Sequence, residues 1–201
     1  MKAMALTAPG GIDQLKMIEI TPRDPASGEI QVAVKATSLN FHDYAVVVGL
    51  IPADDGRIPM SDGAGMVMAV GDGVTDFALG DNVISHFFPR WTSGRPNIDV
   101  LQGVPGDHVD GFASERVTMS AQAFSRMPNN LDFVAASTLS CAGLTAWRAL
   151  VVETHLKPGD WVLVQGSGGV SVFALQFARI MGCRVIATSS SDEKLARLKA
   201  L

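Results

Sequence analysis

The sequence predicts a β-rich, barrel-like domain followed by the opening of an α/β domain. Three observations carry this. Short alternating strands separated by Gly/Asp turns fill roughly the first 130 residues. Helical periodicity takes over from Leu131. A glycine turn then stands between two short apolar runs, Trp161 to Gln165 and Arg184 to Thr188.

Taken in order, Glu29 to Ala36 alternates, with Ile30, Val32 and Val34 on one face and Gln31, Ala33 and Lys35 on the other; this is a half-buried strand. Ser61 to Gly65 leads into a strand over Met66 to Val70, closed by the turn Gly71-Asp72-Gly73. Further strands are expected over Val83 to Phe88 and Phe112 to Met119. Many short strands with turn signals between them favour a barrel. The segment between Phe88 and Phe112 is rich in Pro, Gly and Asp and holds Trp91, Arg95, Asp107 and His108. A connection that long inside a domain is more often functional than neutral.

Asp132 to Ser137 and Leu139 to Val152 read as helices, and Lys157 to Asp160 as a turn. Trp161 to Gln165 has the unbroken apolar character of a parallel strand buried on both faces. Val170, Ala174, Phe177, Ala178 and Met181 make one helix face, which Gly182 ends. Arg184 to Thr188 is a second buried strand. Ser191 or Asp192 then caps a last helix with Leu195, Leu198 and Leu201 inside. The expected domains are 1–130 and 131–201, with the boundary between about Asn130 and Leu150.

Composition narrows the function. The chain has 201 residues, 47% hydrophobic and 18% charged, with a net charge of −4. An acidic balance with no basic face excludes a general nucleic-acid surface and a polybasic membrane patch. No run approaches the ~18–20 apolar residues of a membrane span, and Met1 to Leu6 is too short for a signal peptide. The cytoplasm is the expected location. Cys141 and Cys183 are the two cysteines, too few for a disulfide framework or a four-cysteine zinc site.

Gly166-Ser167-Gly168-Gly169-Val170-Ser171 is the informative motif, because it joins a strand to an amphipathic helix inside a β-α-β unit. That is the context of a dinucleotide site. Gly166 permits the tight turn, Gly168 and Gly169 let backbone approach a pyrophosphate, and the N–H groups from Val170 onward face the phosphates at the positive end of the helix. Ser171 stands where the usual pattern has its third glycine. An NAD site wants an acidic residue at the end of the second strand, for the ribose hydroxyls. Here Thr188, Ser189, Ser190 and Ser191 supply hydroxyls, and Lys194 is one turn into the next helix, within reach of a 2′-phosphate. NADP(H) is therefore preferred, with NAD(H) possible.

Together with Lys157-Pro158-Gly159-Asp160, Cys141-Ala142-Gly143-Leu144-Thr145-Ala146-Trp147 and Ser38-Leu39-Asn40-Phe41-His42-Asp43, this motif resembles the medium-chain dehydrogenase/reductase superfamily. More narrowly, the chain is similar to its zinc-independent, quinone-oxidoreductase-like branch. The resemblance implies a GroES-like β-barrel domain followed by a Rossmann domain, the latter incomplete, since two of about six strands are present. It implies an enzyme moving a hydride between a nicotinamide and a small carbonyl, enone or quinone, and a homodimer at full length. A zinc-dependent alcohol dehydrogenase and a non-catalytic nucleotide-binding derivative are the alternatives.

The zinc-dependent branch holds its metal through an early cysteine and a Gly-His-Glu motif. Here those stretches read Ser38 to Asp43, with no cysteine, and Ser61-Asp62-Gly63, with no histidine. His42, Asp43, Asp62, His86 and His108 match no metal-ligand spacing, so no metal site is expected. By resemblance, Asn40 and Thr145 face the nicotinamide end of the cofactor. His42 and Tyr44, beside Asn40, are candidate donors to the substrate oxygen. Asp43 orients a neighbour.

Overall fold

The computed structural model describes residues 1–201. The chain separates into two units, Met1–Ser140 and Cys141–Leu201.

In the first unit, β1 (Lys2–Leu6) pairs antiparallel with β2 (Leu15–Glu19). Five further strands, β3 (Glu29–Ser38), β4 (Asp62–Val70), β5 (Asn82–Ser85), β6 (Arg116–Ser120) and β7 (Phe124–Arg126), form an antiparallel sheet in the order β6-β3-β4-β5-β7. The alternation along β3 does what its pattern requires. Ile30 and Val32 are fully buried in a core with Val67, Val83, Phe112, Val117 and Phe124, and Val34 packs against its edge. Gln31 departs from that pattern and is buried too. Its Nε2 donates to the Arg23 carbonyl at 2.8 Å and to Thr118 Oγ1 at 3.4 Å, so burial leaves its donor satisfied. A helix, α1 (Phe41–Val47), follows β3 and closes a smaller core of Val46, Val47 and Leu6.

Two strands are shorter than expected. β6 starts at Arg116, because Gly111, Phe112 and Ala113 give their N–H groups to the carbonyls of Ile58, Met60 and Pro59 instead. β5 stops at Ser85, and Phe87 and Phe88 turn into ring-to-ring contacts. The first unit also runs past residue 130. The short helix α2 (Phe133–Ala136) stays with it, because Ser38 Oγ donates to the Ser137 carbonyl at 3.0 Å and Ser140 Oγ to the Ser85 carbonyl at 2.5 Å. The two units divide between Ser140 and Cys141.

A wider π turn over Leu139–Gly143 runs across the division, and the second unit continues with α3 (Leu144–Trp147) and a second π turn over Arg148–Glu153. Then come β8 (Trp161–Val164), α4 (Gly169–Ile180), β9 (Arg184–Ala187) and α5 (Asp192–Ala200). β8 and β9 are parallel, Trp161 opposite Arg184 through Val164 opposite Ala187. Val162 and Val164 are buried beneath Leu175, Ala178 and Leu198. Within this chain one face of the pair is covered: both helices pack on the side of Val162 and Val164, while Trp161 is 63% exposed and Leu163 60%. Val170 and Leu201 are likewise exposed, so the core stripe of α4 centres on Leu175 and Ala178, and that of α5 on Leu198. Gly182 ends α4 at φ 76°, and Ser191 caps α5 by accepting the Lys194 N–H.

Candidate active site

In the first unit a polar network sits where β3 runs into α1. Asn40 precedes the helix in an extended conformation, and its N–H donates to Asp43 Oδ2 at 2.7 Å, one half of a capping box. The other carboxylate oxygen of Asp43 accepts the Ser61 N–H at 2.8 Å. Asp43 thus fixes β4's entry against α1, the orienting role expected of it. Asn40 Nδ2 donates to Ser61 Oγ at 3.2 Å and to Asp62 Oδ2 at 3.1 Å. Ser38 Oγ reaches the same Asp62 oxygen at 3.4 Å, and Thr37 Oγ1 donates to the Asp62 carbonyl at 2.6 Å. Asp43, Ser61 and Asp62 are all buried. Buried polar groups persist only when bonded, and this network bonds them to one another. The amide hydrogens of Asn40 are spent on it, and its Oδ1, which accepts the Asp43 N–H in the other half of the capping box, keeps one lone pair for a further donor.

His42 lies one turn into the site. Its ring meets Phe87 edge-on, centroids 5.2 Å apart, and Nε2 stands 3.6 Å from Asp107 Oδ2. That nitrogen is buried and has no hydrogen-bond partner at this distance. His108 Nδ1 lies 3.4 Å from the same Asp107 oxygen. Gly106, at φ 83°, turns the loop that carries Asp107 inward. Of the five side chains considered for a metal, His42 and His108 therefore meet through Asp107, while Asp43 and Asp62 belong to the Asn40 network. His86 stands apart, its Nε2 2.7 Å from Ser125 Oγ, and burial holds its pKa below the usual histidine value against the opposing pull of the Gln122 backbone. Tyr44 is exposed beside Phe41, ring centroids 6.0 Å apart. Residues two apart on a helix do not share a face, so His42 and Tyr44 are not brought together. Asp107 is the residue that sequence reasoning placed only in a long loop; the inward turn at Gly106 was its one signal.

The second unit supplies the glycine turn. Gly166 adopts φ 85°, which favours glycine. Its N–H donates to Thr188 Oγ1 at 3.3 Å, and Ser167 Oγ lies 3.3 Å from Ser189 Oγ, so the turn is tied to the end of β9. Gly168 caps α4 in an ordinary extended conformation, and a Cβ built on it meets nothing within 4 Å. Ser171 accommodates the missing third glycine: its Oγ donates to the Gln165 carbonyl at 2.9 Å. Thr145 is exposed on α3, and Ser190 and Lys194 are exposed beyond β9. An open backbone cradle at a helix N-terminus, ringed by hydroxyls, fits the pyrophosphate and ribose of a dinucleotide. The two stretches that correspond to the zinc motifs do not fit a metal in the same way: within them the Asn40 amide is bonded to the Ser61 hydroxyl and the Asp62 carboxylate.

Comparison with known proteins agrees with this arrangement. Residues 26–129 match the alcohol dehydrogenase GroES-like domain family. A zinc-type alcohol dehydrogenase-like protein of Schizosaccharomyces pombe is 42% identical over 95% of the chain and 57% of its own length. A crystal structure assigned as an alcohol dehydrogenase from Sinorhizobium meliloti superposes with a TM-score of 0.92 at 41% identity, over 99% of this chain and 60% of that one. The Escherichia coli quinone oxidoreductase complexed with NADPH superposes with a TM-score of 0.82 at 27% identity, over 100% of this chain and 56% of that one. The chain thus spans somewhat over half the length of the relatives it matches. A GroES-like barrel over residues 26–129, followed by a β-α-β glycine turn, makes this chain a member of the medium-chain dehydrogenase/reductase superfamily.

Proposed function

We propose that the protein is an NADP(H)-preferring, zinc-independent oxidoreductase acting on a small carbonyl, enone or quinone. The observation that carries the reading is the glycine turn, whose open Gly168 and tethered hydroxyls suit a dinucleotide. When bound, the nicotinamide supplies or accepts the hydride. The backbone of Gly166, Gly168, Gly169 and Val170 would hold the pyrophosphate at the start of α4. Ser189, Ser190 and Lys194 would hold a 2′-phosphate, which an acidic residue there would repel. Asn40 Oδ1 and Thr145 would orient the nicotinamide end. His42 would exchange a proton with the substrate oxygen, a contribution of ~10²–10⁴-fold for a well-placed acid, with Tyr44 the weaker candidate.

The Asn40, Ser61 and Asp62 network supports zinc independence, since these groups already use one another as partners. The S. pombe relative's zinc-type name favours the other reading, a zinc alcohol dehydrogenase. Elemental analysis decides between them. A full-length homodimer that remains in the cytoplasm belongs to the same proposal; no helix here is long and apolar enough to cross a membrane.

Titration with NADPH and NADH, followed by turnover on aldehydes, enones and quinones, tests the whole. Tighter NADPH binding, steady consumption and less than stoichiometric zinc are expected. Lys194→Ala is expected to erase the preference for NADPH. Binding without turnover on any of these substrates would instead identify a non-catalytic derivative of the fold.

A further inference from the structure

Asp107 has no assigned role, yet its setting is unusual. The carboxylate is nine-tenths buried, and its partners in ion-pair range are two imidazoles, His42 Nε2 at 3.6 Å and His108 Nδ1 at 3.4 Å, both on the same oxygen. A buried carboxylate is costly unless donors face it. His42 carries the matching deficit: Nε2 is buried with no hydrogen-bond partner, and Phe87 closes the ring edge-on. His42 lacks an acceptor, and the Asp107 carboxylate is the one beside it. A small approach, of the kind that tightens such contacts when a site fills, turns 3.6 Å into a hydrogen bond.

We propose that Asp107 is a positioning residue that holds His42 as the Nε2–H tautomer. This rests on the reading of His42 as the group that exchanges a proton with the substrate oxygen, and it names the atom: Nδ1. In carbonyl reduction the carbon accepts a hydride from the reduced nicotinamide, and the C=O π pair moves to oxygen. That oxygen takes the Nδ1 proton of the imidazolium, leaving Nε2–H imidazole bonded to Asp107. In alcohol oxidation Nδ1 takes the proton back. A carboxylate behind an imidazole fixes tautomer and orientation without itself carrying the proton. His108, the more exposed ring, is the carboxylate's second partner and supports it from the loop.

The test reads the tautomer directly. Nitrogen-15 NMR of histidine-labelled protein at about pH 8.5, where an ordinary imidazole is neutral, is expected to show His42 as Nε2–H. In Asp107→Asn, whose amide can donate to Nε2, the signal is expected to move toward Nδ1–H. With the best carbonyl substrate, that variant's kcat is expected to fall ~10²-fold or more with KM within about threefold. His108→Gln is expected to keep the tautomer and lose less than about tenfold. Wild-type His42 found as Nδ1–H, an Asp107→Asn signal that stays put, or an unchanged kcat each overturns the proposal. Should no carbonyl substrate be turned over at all, the oxidoreductase reading fails while the NMR result still decides whether Asp107 sets the tautomer.

Discussion

The two units use glycine for opposite reasons. In β4, Gly63 and Gly65 are hemmed in by the protein itself: a Cβ on Gly63 would strike the Phe112 ring, and one on Gly65 the Ala33 carbonyl and Val32 Cγ1. In the turn before α4, Gly168 has an unstrained backbone and open space where a Cβ would stand. The first pair is explained entirely by packing. The second glycine is not required by the fold at all, and that contrast separates a structural glycine from one that suits close approach by a ligand.

Four changes break or sharpen this contrast, and the largest effect belongs to β4. Gly65→Ala sets a methyl against a fixed carbonyl, and overpacking of that kind costs about 3 kcal/mol. Urea unfolding is expected to show it; a loss under about 1 kcal/mol would mean that β3 and β4 can part and that the packing explanation is wrong. Gly166→Ala comes next, because φ 85° is strained for any other residue. The expected loss is about 1.5 kcal/mol, read from the same unfolding curves.

Gly168→Ser then probes the open glycine. Serine is a favoured helix N-cap, so stability is expected to hold or to rise by a few tenths of a kcal/mol, while NADPH affinity drops about tenfold, or ~1.4 kcal/mol. Equal affinity would place the cofactor backbone elsewhere. The smallest effect is a pH dependence in the first unit. Burial depresses the His86 pKa below 6.5, so the unfolded chain binds the proton more readily. The stability this confers is present above pH 6.5 and is lost as pH falls through the lower folded value. His86→Gln is expected to flatten the fall in unfolding free energy between about pH 7.5 and pH 5.5.

How much was legible in the sequence follows the range of the interactions. The β3 alternation and the glycine turn are local signals, and both units follow them. The burial of Gln31 was hidden because its partners, Arg23 and Thr118, come from other parts of the chain. The exposure of Trp161 and Leu163 was hidden for a related reason: an apolar run states that a strand can be covered on both faces, and says nothing about which faces this chain covers. In the turn before α4, Gly166 is bonded to Thr188 and Ser167 lies beside Ser189. Asp107 escaped because no periodicity links it to His42; a turn at Gly106 brings it inward. Tyr44 is near His42 in sequence, but residues two apart on a helix do not share a face.

The face of the β8 and β9 pair that this chain leaves uncovered also carries a built-in reporter. Trp161 lies on that face with the Arg184 guanidinium 5.4 Å from its ring centroid. A solvated indole beside a cation emits at long wavelength and is open to quenching by small molecules. With Trp91 and Trp147 replaced by Phe, any surface that comes to cover the two strands would shift that emission to the blue and shield it, so docking onto the sheet can be followed by light alone, with no label attached.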